Sequence, residues 1–355
     1  MIHVVHIVGA RPNFMKAAAV HRALAGTVKQ TLIHTGQHYD RMMSDIFFQQ
    51  LDLPAPDTSL GVGSATHAVQ TGEVMIRLEP LLIDLRPDLV LVYGDVNSTI
   101  AAALVATKLG IRVGHVEAGL RSRDRTMPEE INRIATDAVA DLLFTPSSDG
   151  SENLTAEGVP ADRVFLVGNV MIDTLVRLLP HADTSRTRST LGLAGPFALV
   201  TLHRPSNVDD SRVLSSLVEG LLKVAHRLRV IFPVHPRTRA RMPSLGAGNN
   251  GLMMVDPLGY LEFLSLEREA SVVITDSGGV QEETTFLGVP CLTMRSNTER
   301  PITVTEGTNM LLGQDVSRLV DEVDRILSGN WKVGSVPALW DGQAGRRIAE
   351  VISRR

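Results

Sequence analysis

Short β-rich runs alternate with helical stretches from one end of the chain to the other. The first run, residues 2–8, precedes a Gly-Ala-Arg-Pro turn and a helical pattern over residues 13–25. Strands that alternate with helices predict an α/β fold, in which parallel sheets carry helices on both faces. The later predicted strands cover residues 32–35, 88–93, 112–116, 141–145, 163–167, 197–202, 230–234, 252–255, 271–275 and 290–294, and predicted helices cover residues 97–109, 315–327 and 343–352.

The alternation is interrupted once, which indicates two domains. Residues 180–195 are polar and punctuated by proline and glycine, and the strand–helix pattern restarts after them. A chain of 355 residues also exceeds what one hydrophobic core usually serves. We therefore predict two doubly wound, Rossmann-like domains with a central cleft, the kind of place where nucleotides and their sugars bind.

The composition narrows the function classes. Charged residues make up 21% of the chain and the net charge is −4, which disfavours a broad nucleic-acid footprint. No apolar run is long enough to span a bilayer, and the first twelve residues lack the cationic start of a signal peptide. The single cysteine, Cys291, lies in an apolar run and is expected to be buried. These features predict a cytoplasmic protein that binds neither nucleic acid nor membrane.

One polar segment, residues 114–133, concentrates the candidate catalytic groups. It follows a predicted strand and ends at a helix that begins at Pro128, and open α/β sheets place ligands at such strand ends. Its carboxylates Glu117 and Glu129 have a possible partner in Asp95, which ends the preceding strand.

Glu129 also has a simpler interpretation. Thr126 and Glu129 fit a capping box, and a proline in the first turn supports it. On spacing alone, capping is favoured over catalysis, although one carboxylate could serve both. The arginines at positions 121, 123 and 125 are most simply explained as a solvated loop.

A second candidate site follows the strand at residues 271–275. The sequence Asp276-Ser277-Gly278-Gly279 opens a helix, whose free N–H groups suit a diphosphate, and Glu282 or Glu283 could accept hydrogen bonds from ribose. An ordinary turn with Ser277 as N-cap is an equally good interpretation.

Two histidines extend this candidate site. His203, with Arg204 beside it, and His235 each follow a predicted strand of the same domain. With Arg237 and Arg300 they favour a diphosphate cradle over a chance arrangement.

The motifs together resemble the non-hydrolysing UDP-N-acetylglucosamine 2-epimerases. The likeness runs through almost the whole chain, so it is far more specific than any single motif. It rests on residues 9–12 with Lys16, on Gly36-Gln37-His38, Tyr93-Gly94-Asp95, residues 115–121, Pro128-Glu129-Glu130, His203-Arg204, Asp256-Pro257, residues 276–283 and residues 298–301.

The resemblance implies a fold like that of GT-B glycosyltransferases. It implies an N-terminal domain over residues 1–172, a UDP-binding domain over residues 173–341, and a last helix, about 342–355, that packs back on the first domain. It further implies a homodimer, UDP-sugar and UDP as ligands, and no metal or other cofactor. The implied reaction removes the C2 proton while UDP departs, which leaves a 2-acetamidoglucal, and then adds UDP back as the proton returns to the other face.

The resemblance also assigns roles to individual residues. Asp95, Glu117 and Glu129 form the acid–base set, in which crowding would raise carboxyl pKa values. His203 stabilises or protonates the leaving phosphate. The remaining substrate contacts carried over are Arg11, Lys16, Arg121, His235, Phe263, Ser277, Gly278, Gly279, Glu283 and Arg300.

Some positions depart from the family pattern. Ala10 and Asn13 stand where the family usually has Thr and Glu, and Pro205 stands where an Arg or Ala is common. Tyr39-Asp40 replaces a frequent Arg-Gln pair. Bacterial members carry a second, regulatory UDP-sugar site, and these changes predict that this chain is not activated by its own substrate.

Other functions share parts of this pattern. A hydrolysing epimerase would release UDP and N-acetylmannosamine, and a GT-B glycosyltransferase would share the diphosphate site. A catalytically inactive UDP-sugar sensor is disfavoured because the acid–base set and His203 are all retained. A modified substrate, such as a 2,3-diacetamido sugar, fits the same residues.

Overall fold

The computed structural model describes residues 1–36, 48, 50–242 and 251–354. The chain forms two compact units, one of Met1–Thr174 with Ala338–Arg355 and the other of Leu175–Pro337. The boundary between the units falls inside a helix, Val170–Leu178.

The first unit contains a fully parallel sheet in the order β3-β2-β1-β4-β5-β6-β7. Its strands are β1 His3–Val8, β2 Lys29–His34, β3 Thr58–Ser59, β4 Leu89–Tyr93, β5 Arg112–Val116, β6 Leu142–Thr145 and β7 Val164–Leu166. Its described helices are α1 Arg11–Ala23, α2 His67–Leu85, α3 Asn97–Lys108, α4 Pro128–Val139, α5 Ser148–Ala156 and α6 Val170–Leu178, with a 3-10 turn at Ala161–Arg163.

Burial explains why the central strands read as continuous apolar runs. Every residue of β1 and β4 is buried, because helices cover both faces of the sheet. The chain reverses its winding between these two strands, so their carboxyl ends flank the switch point where such sheets bind ligands.

The last helix, Ala344–Ser353, completes the first unit and packs against α1. Asp173 accepts hydrogen bonds from the backbone N–H groups of Ala344 (3.0 Å) and Gly345 (2.7 Å), which otherwise have no partner within the helix. A Cβ at Gly345 would lie 2.7 Å from the carbonyl oxygen of Ala19, so glycine allows this close crossing. Trp340, just before the helix, donates to the Pro146 carbonyl at 2.9 Å.

The second unit repeats the same layout. Its sheet is parallel, in the order β10-β9-β8-β11-β12-β13, so the winding reverses between β8 and β11. The strands are β8 Phe197–Thr201, β9 Arg229–Pro233, β10 Leu252–Val255, β11 Val272–Thr275, β12 Cys291–Thr293 and β13 Asn309–Leu311. The helices are α7 Thr184–Thr190, α8 Pro205–Val208, α9 Ser211–Ala225, α10 Pro236–Arg239, α11 Tyr260–Glu267, α12 Gly278–Leu287, α13 Ile302–Thr305 and α14 Val316–Leu327, with a 3-10 turn at Leu179–His181; Ala344–Ser353 is therefore α15.

The predicted fold class is confirmed, and each predicted strand overlaps an observed one. Two strands were missed, β3 and β13. They have two and three residues, too few to show a periodic pattern, and both lie at sheet edges. Among the described residues, no helix has both the length and the apolar character that crossing a membrane requires.

Candidate active site

In the first unit, candidate residues follow the carboxyl ends of β4 and β5. Gly94 and Asp95 come directly after β4, and Glu117 comes directly after β5. The two strands are parallel neighbours, so these residues leave the sheet at the same edge.

Glu117 forms a buried ion pair with Lys16, which lies on α1. Glu117 and Lys16 are 5% exposed, and Glu117 has a positive φ of 76°, which is uncommon for a residue with a side chain. A Cβ at Gly94 would lie 2.8 Å from Lys16 Nζ and 3.1 Å from Glu117 Oε2. Glycine at this position therefore makes room for the ion pair.

Asp95 is paired with a different cation. Arg133, buried on α4, binds the Asp95 carboxylate through Nη1 and donates to Glu130 through Nη2 at 2.7 Å. Asn132 donates to the Asp95 carbonyl oxygen at 2.8 Å. The sequence predicted that Asp95, Glu117 and Glu129 crowd one another. In the structure, Asp95 and Glu117 each pair with a cation of the protein.

Glu130 organises the loop that leads into α4, a role that sequence reasoning missed. It accepts hydrogen bonds from the backbone N–H groups of Ser122 and Arg123, both at 2.9 Å. Burial alone would raise its pKa, but these hydrogen bonds and the Arg133 guanidinium lower it. The spacing of Glu130 and Arg133, three residues apart at a helix start, was the available signal.

Glu129 is half-buried in the first turn of α4. The predicted helix start at Pro128 is confirmed, but the capping box is wrong. Met127 occupies the N-cap position without a side-chain cap, and Thr126 instead donates to Asp124 at 2.6 Å. Within the described ranges, the structure gives the Glu129 carboxylate no hydrogen-bonding or ionic partner.

Arg121 corrects the interpretation of its segment as a solvated loop. It is 4% exposed, whereas Arg123 and Arg125 are exposed as expected. Its guanidinium lies 2.7 Å from Asp137 and 2.6 Å from Glu157. Because these acids and the Leu120 carbonyl engage all three of its nitrogen atoms, Arg121 is held inside the protein.

In the second unit, Asp276 ties together the loops that follow β8 and β11. It is fully buried and accepts from the backbone N–H groups of His203 (3.1 Å) and Arg204 (3.0 Å) and from Asn207 Nδ2 (3.0 Å). Burial opposes the ionised form, but the hydrogen bonds and charge of His203 and the bonds from Asn207 and Arg204 lower the pKa of Asp276.

His203 itself remains accessible. Its Nδ1 lies 3.1 Å from Asp276, yet 59% of the side chain is exposed. His203 and His235 line one pocket of about 190 Å³, together with Pro205, Val208 and Arg241 among others. Pro205 is the first residue of the short helix α8, a position at which proline is well accommodated.

The Ser277-Gly278-Gly279 turn differs from the interpretation of Ser277 as a side-chain N-cap. Ser277 occupies the N-cap position of α12 but makes no side-chain cap, and its N–H donates to Thr275 Oγ1 at 2.9 Å. A Cβ at Gly278 would overlap Arg300 Nη1 and lie 2.8 Å from Glu299 Oε1. Glycine at position 278 therefore leaves room for the ion pair between Arg300 and Glu299.

Arg300 lies between two buried carboxylates. Its Nη1 is 2.6 Å from Glu299 and its Nε is 2.7 Å from Glu282. Burial would raise the pKa of Glu299, but the charges of Arg300, Arg295 and Arg204 hold it well below its usual range. These contacts fix the conformation of the loop beside the start of α12.

Glu283 lies in a buried acidic cluster with Glu267 and Tyr260. Its carboxylate accepts a hydrogen bond from the Tyr260 hydroxyl at 2.7 Å, and the Glu267 carboxyl is a close electrostatic neighbour. Burial raises the pKa of Glu283 to about 7, and burial together with the charge of Glu283 raises that of Glu267 well above its ordinary value. Repulsion between two neighbouring buried carboxyls favours a state in which they hold one proton between them. Phe263, on the same helix as Tyr260, is partly buried against the neighbouring apolar core.

Some expectations fall on residues that the structure does not describe. These are Gln37, His38, Tyr39 and Asp40, and the side chains of Arg11 and Arg237. Across residues 1–36, 48, 50–242 and 251–354, no group of three His, Cys, Asp or Glu side chains is arranged to hold a metal ion.

Comparison with known proteins gives consistent matches over the whole chain. Residues 22–353 match the family described as UDP-N-acetylglucosamine 2-epimerase. The UDP-N-acetylglucosamine 2-epimerase of Methanocaldococcus jannaschii is 41% identical over 98% of both chains. A crystal structure of the Methanocaldococcus jannaschii UDP-GlcNAc 2-epimerase, in complex with UDP-GlcNAc and UDP, covers 100% of both chains with a TM-score of 0.90. The UDP-2,3-diacetamido-2,3-dideoxy-D-glucuronate 2-epimerase of Pseudomonas aeruginosa is 42% identical, again over 98% of both chains.

Proposed function

The chain belongs to the UDP-N-acetylglucosamine 2-epimerase family, and we propose that it interconverts UDP-GlcNAc and UDP-ManNAc without net hydrolysis. It is an isomerase with the GT-B-like fold of its relatives. The observation that carries the proposal is the buried Lys16–Glu117 pair at the carboxyl end of β5, next to Asp95 at the end of β4. Carboxylates held in place at a strand end are what proton removal from carbon requires.

The proposed reaction has two half-steps that mirror each other. A carboxylate removes the C2 proton, the C1–O bond breaks with its electron pair leaving on the β-phosphate, and a C1–C2 double bond forms. UDP then attacks C1, and C2 takes a proton on the opposite face. Atoms and charge balance without a cofactor, and UDP is both leaving group and nucleophile.

In the first unit, Asp95, Glu117 and Glu129 form the proposed acid–base set. Lys16 pairs with Glu117, and Arg133 orients Asp95. Glu129, which has no ionic partner among the described residues, is the member best able to take and return a proton. Arg121 is assigned to loop support, since its nitrogen atoms are engaged within the protein.

In the second unit, the proposed ligand is the UDP moiety. Ser277, Gly278 and Gly279 start α12, where the helix dipole favours the diphosphate, and His203 and His235 add donors that can stabilise its departure. Glu283 is proposed to accept hydrogen bonds from ribose hydroxyls. Phe263 is proposed to frame the uracil, and Arg300 supports the turn through Glu299 and Glu282.

Proton NMR of the purified protein with UDP-GlcNAc in deuterated water tests this proposal. We expect deuterium at C2 and a growing UDP-ManNAc signal without any added cofactor. Free N-acetylmannosamine would instead identify a hydrolysing enzyme, and epimerisation without deuterium uptake would exclude the elimination mechanism.

A second substrate is favoured by one comparison. The Pseudomonas aeruginosa relative, at 42% identity, is named for a 2,3-diacetamido glucuronate rather than for UDP-GlcNAc. The C2 chemistry of the two sugars is the same, so the acid–base set serves both. Parallel kcat/KM measurements with the two UDP-sugars decide between them.

We also propose that the chain forms a homodimer through α2. This helix exposes Val69, Ile76 and Ile83 at 55%, 69% and 53%, each seven residues from the next. Apolar residues at heptad spacing suit a partner helix. Sedimentation of the wild type and of Ile76→Glu would test this, with a monomeric wild type contradicting it.

A single buried cysteine accords with the cytoplasmic location that we propose.

A further inference from the structure

His115 is a fully buried histidine with a polar partner at each ring nitrogen. It is the fourth residue of β5 and has no exposed surface. Its Nδ1 lies 2.6 Å from Asp137 Oδ1, and its Nε2 lies 2.8 Å from the carbonyl oxygen of Gly94. The proposed mechanism assigns no role to this residue.

The partners determine where the ring carries protons. A backbone carbonyl only accepts hydrogen bonds, so Nε2 must bear a hydrogen. Asp137 is also surrounded by donors, since Arg121 Nη1 lies at 2.7 Å and the Gly119 N–H at 3.1 Å. Both of these donors bind Oδ2, and pairing with the Arg121 guanidinium favours the ionised carboxylate, so Oδ1 is an acceptor that faces Nδ1. Nδ1 must therefore bear a hydrogen as well.

The surrounding charges compensate a charged ring. Asp137, on α4, pairs with both His115 and Arg121, and Glu157, directly after α5, pairs with Arg121. With a charged His115 ring, this cluster holds two cations and two anions. A neutral ring would leave one nitrogen bare toward an acceptor and would lose either the Gly94 or the Asp137 hydrogen bond.

These two hydrogen bonds fix the backbone beside the candidate acid–base residues. The Gly94 carbonyl belongs to the peptide that precedes Asp95, and the Gly94 N–H donates to Val116 at 3.0 Å. At the other end of the ring, Asp137 binds the N–H of Gly119, two residues after Glu117. One side chain thus links both strand-end turns to α4.

We propose that His115 is a positioning residue for the epimerase reaction, and that it acts as a doubly protonated imidazolium joining the Gly94–Asp95 peptide to Asp137. This proposal rests on the proposed function of Asp95 and Glu117. A displacement of reacting groups by about 1 Å can cost on the order of a hundredfold in rate, which sets the scale of the effect.

Two substitutions separate the contacts of His115. His115→Gln can still place an amide N–H near Nε2 and keep the Gly94 bond, whereas His115→Asn is too short to reach it. We expect His115→Asn to lower kcat by roughly 10- to 100-fold, with KM and UDP affinity within about twofold, and His115→Gln to recover most of that loss. His3→Asn is the matched control, since His3 is a buried histidine of the same sheet, at the opposite strand end.

The charge state is tested directly on protein with ¹⁵N-labelled histidine. We expect two ring N–H signals that disappear in His115→Gln, and one of them to be lost in Asp137→Asn. One bare ring nitrogen at neutral pH, or unchanged kcat in His115→Asn, would overturn the proposal. If Asp95→Asn and Glu117→Gln kept full activity, the proposed acid–base function would fail instead, which is a separate result.

Discussion

The two units have the same topology but use the residue after the fourth strand in different ways. In both units an aspartate stands just past that strand, Asp95 after β4 and Asp276 after β11. Asp276 is fully buried and binds the loop after β8. Asp95 keeps 26% of its side chain exposed and binds Arg133.

The difference arises from how each unit joins its two central loops. In the first unit, Asn13 makes the connection: its Oδ1 accepts from Gly9 (3.2 Å) and Ala10 (3.1 Å), and its Nδ2 donates to Tyr93 at 2.8 Å. In the second unit Asp276 does so itself. An amide on α1 therefore makes in the first unit the connection that Asp276 makes in the second, which leaves Asp95 available for its proposed role. Asn13, a departure from the family pattern, thus has a structural reason in this chain.

The largest expected effect is on stability at Asp276. Asp276→Ala should lower the free energy of unfolding by about 3–5 kcal/mol, because it leaves several buried donors without an acceptor. Asp95→Ala should cost about 1 kcal/mol or less, since its ion pair is partly exposed. Urea unfolding of the two variants measures both values, and equal losses would refute the contrast between the units.

Turnover should show the opposite order. Asp95→Asn, Glu117→Gln and Glu129→Gln should each reduce kcat roughly a hundredfold, the usual scale for positioned acid–base groups, while UDP affinity is retained. Asp84→Asn, an exposed acid on α2, serves as control. If Glu129→Gln remained fully active, Glu129 would leave the acid–base set.

The connection through Asn13 should have a smaller effect on stability. Asn13→Ala removes the acceptor for two N–H groups and the donor to Tyr93, at a site that is 2% exposed. We expect a loss of about 1–3 kcal/mol in the free energy of unfolding. Because the two loops would then move independently, kcat should fall as well. A stability loss with unchanged kcat would show that Asn13 does not position the site.

The smallest expected effect is a pH dependence in the second unit. Glu283 has a pKa of about 7 in the folded protein against an ordinary 4.5, so the folded state holds its proton more tightly. The free energy of unfolding should therefore decrease as pH rises from about 5 to about 8. Glu267→Gln supplies an N–H in place of the shared proton and should reduce that decrease by on the order of 1–2 kcal/mol.

Urea unfolding at the two pH values, with Glu219→Gln as an exposed control, measures this difference. The same pH dependence in wild type and Glu267→Gln would contradict proton sharing between Glu267 and Glu283.

The sequence revealed the sheets well and the charged contacts poorly. Apolar periodicity reports which strands are buried, so both sheets could be predicted, apart from the short edge strands β3 and β13. Ion pairs join residues far apart in sequence: Lys16 meets Glu117 across 101 positions, and Arg121 meets Glu157 across 36. A local pattern contains no trace of such partners, which is why Arg121 was interpreted as solvated. Glu130 was overlooked for another reason: it binds the backbone N–H groups of Ser122 and Arg123, which any residue type supplies, although Arg133 lies only three positions away.

The return of α15 to the first unit has a consequence for synthesis on the ribosome. Domains usually complete their folding in the order in which they emerge. Here the second unit, residues 175–337, is contiguous and can complete as soon as it has emerged. The first unit lacks Trp340 and the helix that packs on α1 until residues 340–353 have emerged, and Asp173 meets its N–H partners only then. The unit whose translation begins first is therefore the last to finish folding.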